Sequence, residues 1–149
     1  MAIKRAVRWL LVLAWLYLIV FLCRQNGADS AKVSEWITQR TSSSLRFLGF
    51  DISYSRLYFF LRKFAHYAVH LILAWLMYCA LDVSFSGQKF NIALCVIFCS
   101  IIAVFDESIQ SAAVGRVMQA SDAILNLFGV QTGTILGVLT VKPKTGRSA

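Results

Sequence analysis

The sequence predicts an all-α polytopic membrane protein with four transmembrane helices. Hydrophobic residues make up 58% of the 149 residues, and charged residues only 15%, against the roughly 25% typical of soluble domains. The mean hydropathy is +0.67, so too little polar surface remains to cover a water-soluble core. Long apolar runs recur along the chain, as membrane spans require, and the length fits a single domain, 1–149.

Four apolar runs are the candidate spans. They cover residues 7–23, 64–81, 90–105 and 123–141. An Asp, Lys or Arg side chain at the centre of a span costs about 2.5–3.5 kcal/mol, and the four runs contain no Asp, Glu, Lys or Arg apart from Arg8. The first run approaches the required length of about 20 residues because Arg8 can extend its side chain to the interface. No small-residue cleavage pattern follows Cys23, so we expect this span to stay uncleaved.

The segment between the first two spans, residues 24–63, is predicted to form an aromatic loop at the membrane interface. We expect a short helix here, capped by Asp29 or Ser30. Its apolar face would carry Val33, Trp36 and Ile37. Further lipid-seeking side chains follow: Phe47, Leu48, Phe50, Tyr54, Leu57, Tyr58, Phe59 and Phe60. The loop is therefore interpreted as a lid that lies over the helix bundle.

The basic residues, which give a net charge of +8, flank the apolar runs. They do not form a stripe with interleaved aromatic side chains, so no nucleic-acid partner is expected. In a four-span protein, both termini and the 82–89 connection lie on one side of the membrane. Lys and Arg are denser in these segments than on the opposite side, and the positive-inside rule then places both termini in the cytoplasm.

Three glycines recur at every fourth position of the last apolar run: Gly129, Gly133 and Gly137. Such spacing forms a groove in which another helix can approach closely. The sequence leaves open whether that helix belongs to the same chain or to a second copy in a homo-oligomer.

Ionisable and amide side chains collect near one boundary of the predicted spans. They are Arg62, Lys63, His66, His70, Asp106, Glu107, Gln110, Arg116, Asp122 and Asn126. Spacings of three or four residues place several of them on common helix faces. Because such groups are costly at membrane depth, we interpret the cluster as a functional site. The alternative is a structural ion-pair network, in which Asp122 serves only as the N-cap of the fourth span.

The order of these residues is distinctive. It reads Lys63-x-x-His66, Asp106-Glu107-x-x-Gln110, Arg116, Asp122, Asn126 and Gly129. Between about residues 62 and 137, the chain resembles the VanZ-like family of small multispan bacterial membrane proteins, whose namesake is linked to teicoplanin resistance. Family members often carry an acidic residue where this chain has Val69, and an aromatic one at His70. The resemblance implies a protein of the bacterial plasma membrane with a role in the cell envelope.

Three functions are compatible with the cluster, and we favour the binding of an anionic lipid head group. The ligand-binding residues would be Arg62, Lys63, Gln110, Arg116, Asp122 and Asn126. Their cations can hold a phosphate through charge-assisted hydrogen bonds, which are bidentate for arginine. The family resemblance suggests a lipid-linked cell-wall precursor or a polyprenyl phosphate as the ligand.

The second function is that of a membrane-embedded hydrolase or transferase acting on such a lipid. Its catalytic residues would be His66, Asp106 and Glu107, because adjacent carboxylates can divide acid and base roles and histidine is a suitable base. The third function is purely structural, with the cluster locking the bundle.

No cofactor and no metal site are predicted. The sequence contains no C-x-x-C pair, no glycine-rich phosphate loop and no established metal-binding spacing. A metal site built from His66, His70, Asp106 and Glu107 is sterically conceivable, but the pattern does not favour it.

Overall fold

The computed structural model describes residues 2–111 and 119–141, and within these ranges every regular element is an α-helix. The helices are α1 Ala2–Cys23, α2 Gly27–Phe47, α3 Tyr54–Ser84, α4 Gln88–Ser111 and α5 Ala120–Thr140. Helices α1, α3, α4 and α5 are long and apolar enough to cross a membrane. The predicted all-α architecture with four spans is therefore confirmed.

The outer surface of the four long helices is apolar. In α1, for example, the buried residues are Val12, Ile19 and Cys23, whereas Leu10 and Leu13 are 62% and 59% exposed. In hydrocarbon a segment must satisfy its own backbone hydrogen bonds, and a helix does so internally. The exposed leucines fit a helix that faces lipid, because lipid tails are as apolar as leucine side chains.

Helices α3 and α5 form the closest pair in the bundle, and glycine makes their approach possible. A Cβ atom added at Gly129 would lie 2.3 Å from the carbonyl oxygen of Tyr67, and one at Gly133 would lie 2.1 Å from that of Leu71. These distances leave no room for a side chain between the two backbones. Helix α3 of the same chain thus fills the glycine groove, and a second copy would need another face of the molecule.

Polar side chains fasten α1 to α3 in an antiparallel arrangement. The guanidinium of Arg8 donates to the carbonyl oxygen of Cys79 at 2.6 Å, near the end of α3. Further along α1, the indole nitrogen of Trp15 donates to the carbonyl oxygen of Val69 at 2.9 Å. The start of α1 therefore lies beside the end of α3, as expected for consecutive spans.

The segment between the first two spans is more helical than expected. Helix α2 contains 21 residues, and its N-cap is Asn26, whose side chain accepts a hydrogen bond from the backbone nitrogen of Asp29 at 2.8 Å. The prediction of Asp29 or Ser30 as the cap is wrong because Asn26 already occupies that position. Helix α2 is not among the described helices that qualify as spans, and its place at the interface stays a prediction.

Helix α3 begins at Tyr54, well before the predicted start at residue 64. Its 31 residues correspond to about 46 Å at 1.5 Å per residue, whereas the hydrocarbon core is about 30 Å thick. An apolar run predicts which part of a helix lies in the hydrocarbon. It does not predict where the helix begins or ends. The aromatic residues from Tyr54 to Phe60 are therefore the first turns of α3 and not a loop.

The start of α5 also differs from the expectation. The N-cap is Gln119 and not Asp122, which lies in the first turn of the helix. The side chain of Asp122 instead accepts a hydrogen bond from Lys63 of α3. The carboxylate of Asp122, which the sequence suggested as a local cap, is therefore paired with a different helix.

Candidate functional site

Asp106, near the end of α4, is the centre of a buried hydrogen-bond network. It is 6% exposed, and its Oδ2 atom lies 3.0 Å from Nε2 of His70, which is fully buried. Its Oδ1 atom accepts hydrogen bonds from Nε2 of Gln110 at 2.8 Å and from the thiol of Cys23. A carboxylate is stable in such a place only with donors around it. The network therefore connects α1, α3 and α4.

A second polar group joins α3 to the beginning of α5. The ammonium of Lys63 donates to Asp122, to Oε1 of Gln119 at 2.8 Å and to Oγ of Ser121 at 3.0 Å. The side chains of Lys63 and Asp122 are only 15% and 8% exposed. Three acceptors at the start of α5 thus fix the position of Lys63.

Between these two groups lie His66 and Glu107. Nε2 of His66 is 3.8 Å from Oδ2 of Asp122, too long for a direct hydrogen bond. Glu107 is 3% exposed, and its Oε1 atom accepts a hydrogen bond from the backbone nitrogen of Gln119 at 2.8 Å. Its Oε2 atom has no hydrogen-bond partner among the described residues. One ligand atom from each of His66, Glu107 and Asp122 lies within 4.8 Å of the others.

Asn126 lies between the two halves of the cluster and is fully buried. Its amide group is 3.4 Å from Oδ2 of Asp106. With the amide turned over, it donates to the carbonyl oxygen of His66 at 3.2 Å. In either orientation, Asn126 links α5 to the neighbouring polar residues.

A cavity of about 450 Å³ opens between α1, α2 and α3. Its polar lining residues are Gln25, Ser30, Ser34, Arg62, His66, His70, Asp106 and Gln110, and the ionisable ones belong to α3 and α4. Most of the remaining wall is apolar and includes Trp15, Ile19, Leu22, Val33, Ile37, Leu61, Ala68, Val69 and Ile72. Cavities of roughly 300–1,000 Å³ with a few polar groups are typical ligand sites. This cavity suits a molecule that is mostly apolar and carries a polar group.

The structure brings together most of the site residues that the sequence predicted. They are Lys63, His66, Asp106, Glu107, Gln110, Asp122 and Asn126, and Arg62 lines the adjoining cavity. Arg116 lies outside the described residues. The sequence did not identify Cys23 and Gln119 as partners of the cluster, and His70 was not among its predicted ligand-binding or catalytic residues. His70 shares a helix face with His66, but no spacing rule points to the other two.

These features define a small helical membrane protein with four spans and a buried polar cluster beside a largely apolar cavity. A family model described as VanZ/LLP1 matches residues 8–141. The chain belongs to this family, which confirms the resemblance drawn from the cluster residues. No curated protein and no solved structure gives a significant match.

Proposed function

We propose that the protein binds an anionic amphiphilic lipid in the cavity between α1, α2 and α3. The hydrocarbon chain would lie along the apolar wall, and the head group would lie beside the ionisable residues of α3 and α4. The composition of the cavity carries this proposal, because an apolar body that leads to charged and amide side chains matches the two chemical parts of a lipid.

Arg62 is the residue best placed to bind the head group. It lines the cavity, its guanidinium is always charged, and it can hold a phosphate with two parallel hydrogen bonds. His66 and Gln110 also line the cavity and can contact hydroxyl or amide groups. Lys63 would act indirectly, because its acceptors at the start of α5 hold it there.

Helix α2 would form a movable wall of this lipid site. Ser30, Val33, Ser34 and Ile37 of α2 line the cavity, although α2 is not one of the described candidate spans. An amphipathic helix at the interface can open and close access from the lipid layer without unfolding a span. This arrangement agrees with the lid predicted for the segment between the first two spans.

The location would be the bacterial plasma membrane, with both termini in the cytoplasm and the polar cluster on the outer side. Membership of the VanZ/LLP1 family supports an envelope lipid as the ligand, such as a lipid-linked cell-wall precursor or a polyprenyl phosphate. Occupancy of the site would then alter the access of a glycopeptide such as teicoplanin to its target. The denser basic residues beside the termini support the orientation.

Native mass spectrometry of the purified protein with envelope lipids tests this proposal. Ala68→Trp fills the cavity with a bulky ring, and Arg62→Gln removes the guanidinium. The matched control is Ala93→Trp, which adds the same ring at an exposed position of α4. Wild type and control should retain an anionic lipid, and both cavity variants should retain at least about tenfold less, a difference of about 1.4 kcal/mol. Equal retention by all four proteins would contradict the proposal.

One observation favours a hydrolase or transferase as the second candidate function. His66 lines the cavity, and Oδ2 of Asp122 lies 3.8 Å from its Nε2 atom, so a small side-chain movement would bring the carboxylate into position to orient the imidazole as a general base. The same spectra distinguish the candidates. A binding protein leaves the retained lipid unchanged over time, whereas an enzyme produces a lipid of lower mass that is not formed by His66→Gln.

A further inference from the structure

We propose that His66, Glu107 and Asp122 form a binding site for one divalent transition-metal cation. The three residues come from α3, α4 and α5, and one ligand atom from each lies within 4.8 Å of the others. A cation near the middle of such a triangle reaches all three atoms after small side-chain movements, since metal–ligand bonds to nitrogen and oxygen are about 2.0–2.2 Å long.

The second observation is the unsatisfied oxygen of Glu107. The residue is 3% exposed, and its Oε2 atom has no hydrogen-bond partner among the described residues. A buried polar atom without a partner is costly, and the cost is greater for a charged group. Because Oε1 is already held by the backbone nitrogen of Gln119, the carboxylate is fixed in place with one oxygen available. A bound cation would satisfy that oxygen.

The charges around the site also favour a cation. Three buried carboxylates lie close together, those of Asp106, Glu107 and Asp122. Among the described residues, Lys63 is the one lysine or arginine in ion-pair contact with them. Lys63 contacts Oδ1 of Asp122, whereas Oδ2 faces His66. Asp122 can therefore bind the Lys63 ammonium through Oδ1 and the metal through Oδ2.

The ligand set indicates which cation would bind. An imidazole with two carboxylates suits a first-row transition metal such as Mn²⁺ or Zn²⁺ better than Ca²⁺ or Mg²⁺, which prefer oxygen ligands alone. The site differs from the metal site considered from the sequence, because His70 and Asp106 are hydrogen-bonded to each other. It overlaps the proposed lipid site only at His66, which lines the cavity, whereas Glu107 and Asp122 do not.

Titration with Mn²⁺ tests the proposal on full-length protein that has been purified in detergent and stripped with a chelator. Electron paramagnetic resonance measures free Mn²⁺, and one bound ion per chain is expected. Glu107→Gln and Asp122→Asn should each weaken binding at least about tenfold, since each removes an anionic ligand. The matched control is Glu35→Gln, which makes the same chemical change at an exposed position of α2 and should bind like wild type.

The identity of the third ligand gives an independent readout. Bound Mn²⁺ should show magnetic coupling to an imidazole nitrogen in pulsed resonance spectra, and His66→Gln should abolish that coupling. This signal keeps the test decisive if one of the carboxylate variants fails to fold. Absence of Mn²⁺ uptake by wild type would overturn the proposal. Uptake that is unchanged in both Glu107→Gln and His66→Gln would also overturn it.

Discussion

At the scale of single residues, Asp106 explains how a charged group is accommodated inside the bundle. Its Oδ1 atom accepts hydrogen bonds from Cys23 and Gln110, and its Oδ2 atom lies 3.0 Å from Nε2 of His70. These partners come from three different helices. The residue therefore couples the position of one helix to that of the next, and it also lines the cavity.

Removing this carboxylate should destabilise the protein strongly. In Asp106→Ala, the buried partners of Asp106 lose their acceptor and a void is left, and a buried donor without a partner typically costs about 1–3 kcal/mol. The free energy of unfolding, measured by titration with a denaturing detergent, should fall by about 3 kcal/mol. Asp29→Ala is the control because its ion pair with Lys32 is exposed, and it should change the free energy by less than about 1 kcal/mol. A similar, small effect of both substitutions would show that the Asp106 network contributes little.

The sequence predicted most members of the polar cluster but not their pairing. Spacing along a helix places Asp106 and Gln110 together, and their hydrogen bond is local. The partner Cys23 is 83 positions away along the chain, and a cysteine at the end of an apolar run usually packs as an apolar residue. Contacts between distant segments follow from helix packing, which single-helix spacing does not encode.

At the scale of helices, the contact between α3 and α5 positions both halves of the cluster. The close backbone approach at Gly129 and Gly133 brings Lys63 and His66 of α3 within reach of Asp122. Without a strong hydrophobic driving force between helices in lipid, close van der Waals packing is a main source of association. The glycines therefore contribute to the site indirectly, because they set the distance between α3 and α5.

Substitution of Gly133 by alanine should separate these two helices. The new Cβ would lie 2.1 Å from the carbonyl oxygen of Leu71, and backbone atoms cannot move aside as a side chain can. The added methyl group should lower the free energy of unfolding by about 1–3 kcal/mol, as overpacking does, despite the better helix propensity of alanine. Ala93→Val adds bulk on the exposed face of α4 and should have a much smaller effect. An unchanged stability of Gly133→Ala would show that the helices are not in tight contact.

The helices themselves were predictable in number and kind, but not in their ends. Four apolar runs identify the four long helices because hydrocarbon excludes charged side chains. The same criterion does not detect the first turns of α3 or the length of α2, since helices outside the hydrocarbon can also contain polar and aromatic residues. The identity of the helix that fills the glycine groove also required the structure.

At the scale of the whole molecule, the cavity is the feature that no single element contains. Helix α1 contributes Trp15 and Ile19, α2 contributes Val33 and Ile37, and α3 and α4 contribute ionisable residues. Membrane spans usually pack to exclude such space, because tight van der Waals contact stabilises their association. A cavity of lipid-like polarity inside so small a bundle therefore supports a role in lipid binding.

The most direct test of this role is to locate a bound lipid by photocrosslinking. A polyprenyl phosphate with a photoreactive group in its chain is mixed with the purified protein, and the labelled residues are identified by peptide mass spectrometry. The label should appear on cavity residues such as Val33, Ile37 and Val69, and Ala68→Trp should remove it. Labelling confined to the outer surface, for example at Leu10 and Phe128, or unchanged by Ala68→Trp, would contradict the account.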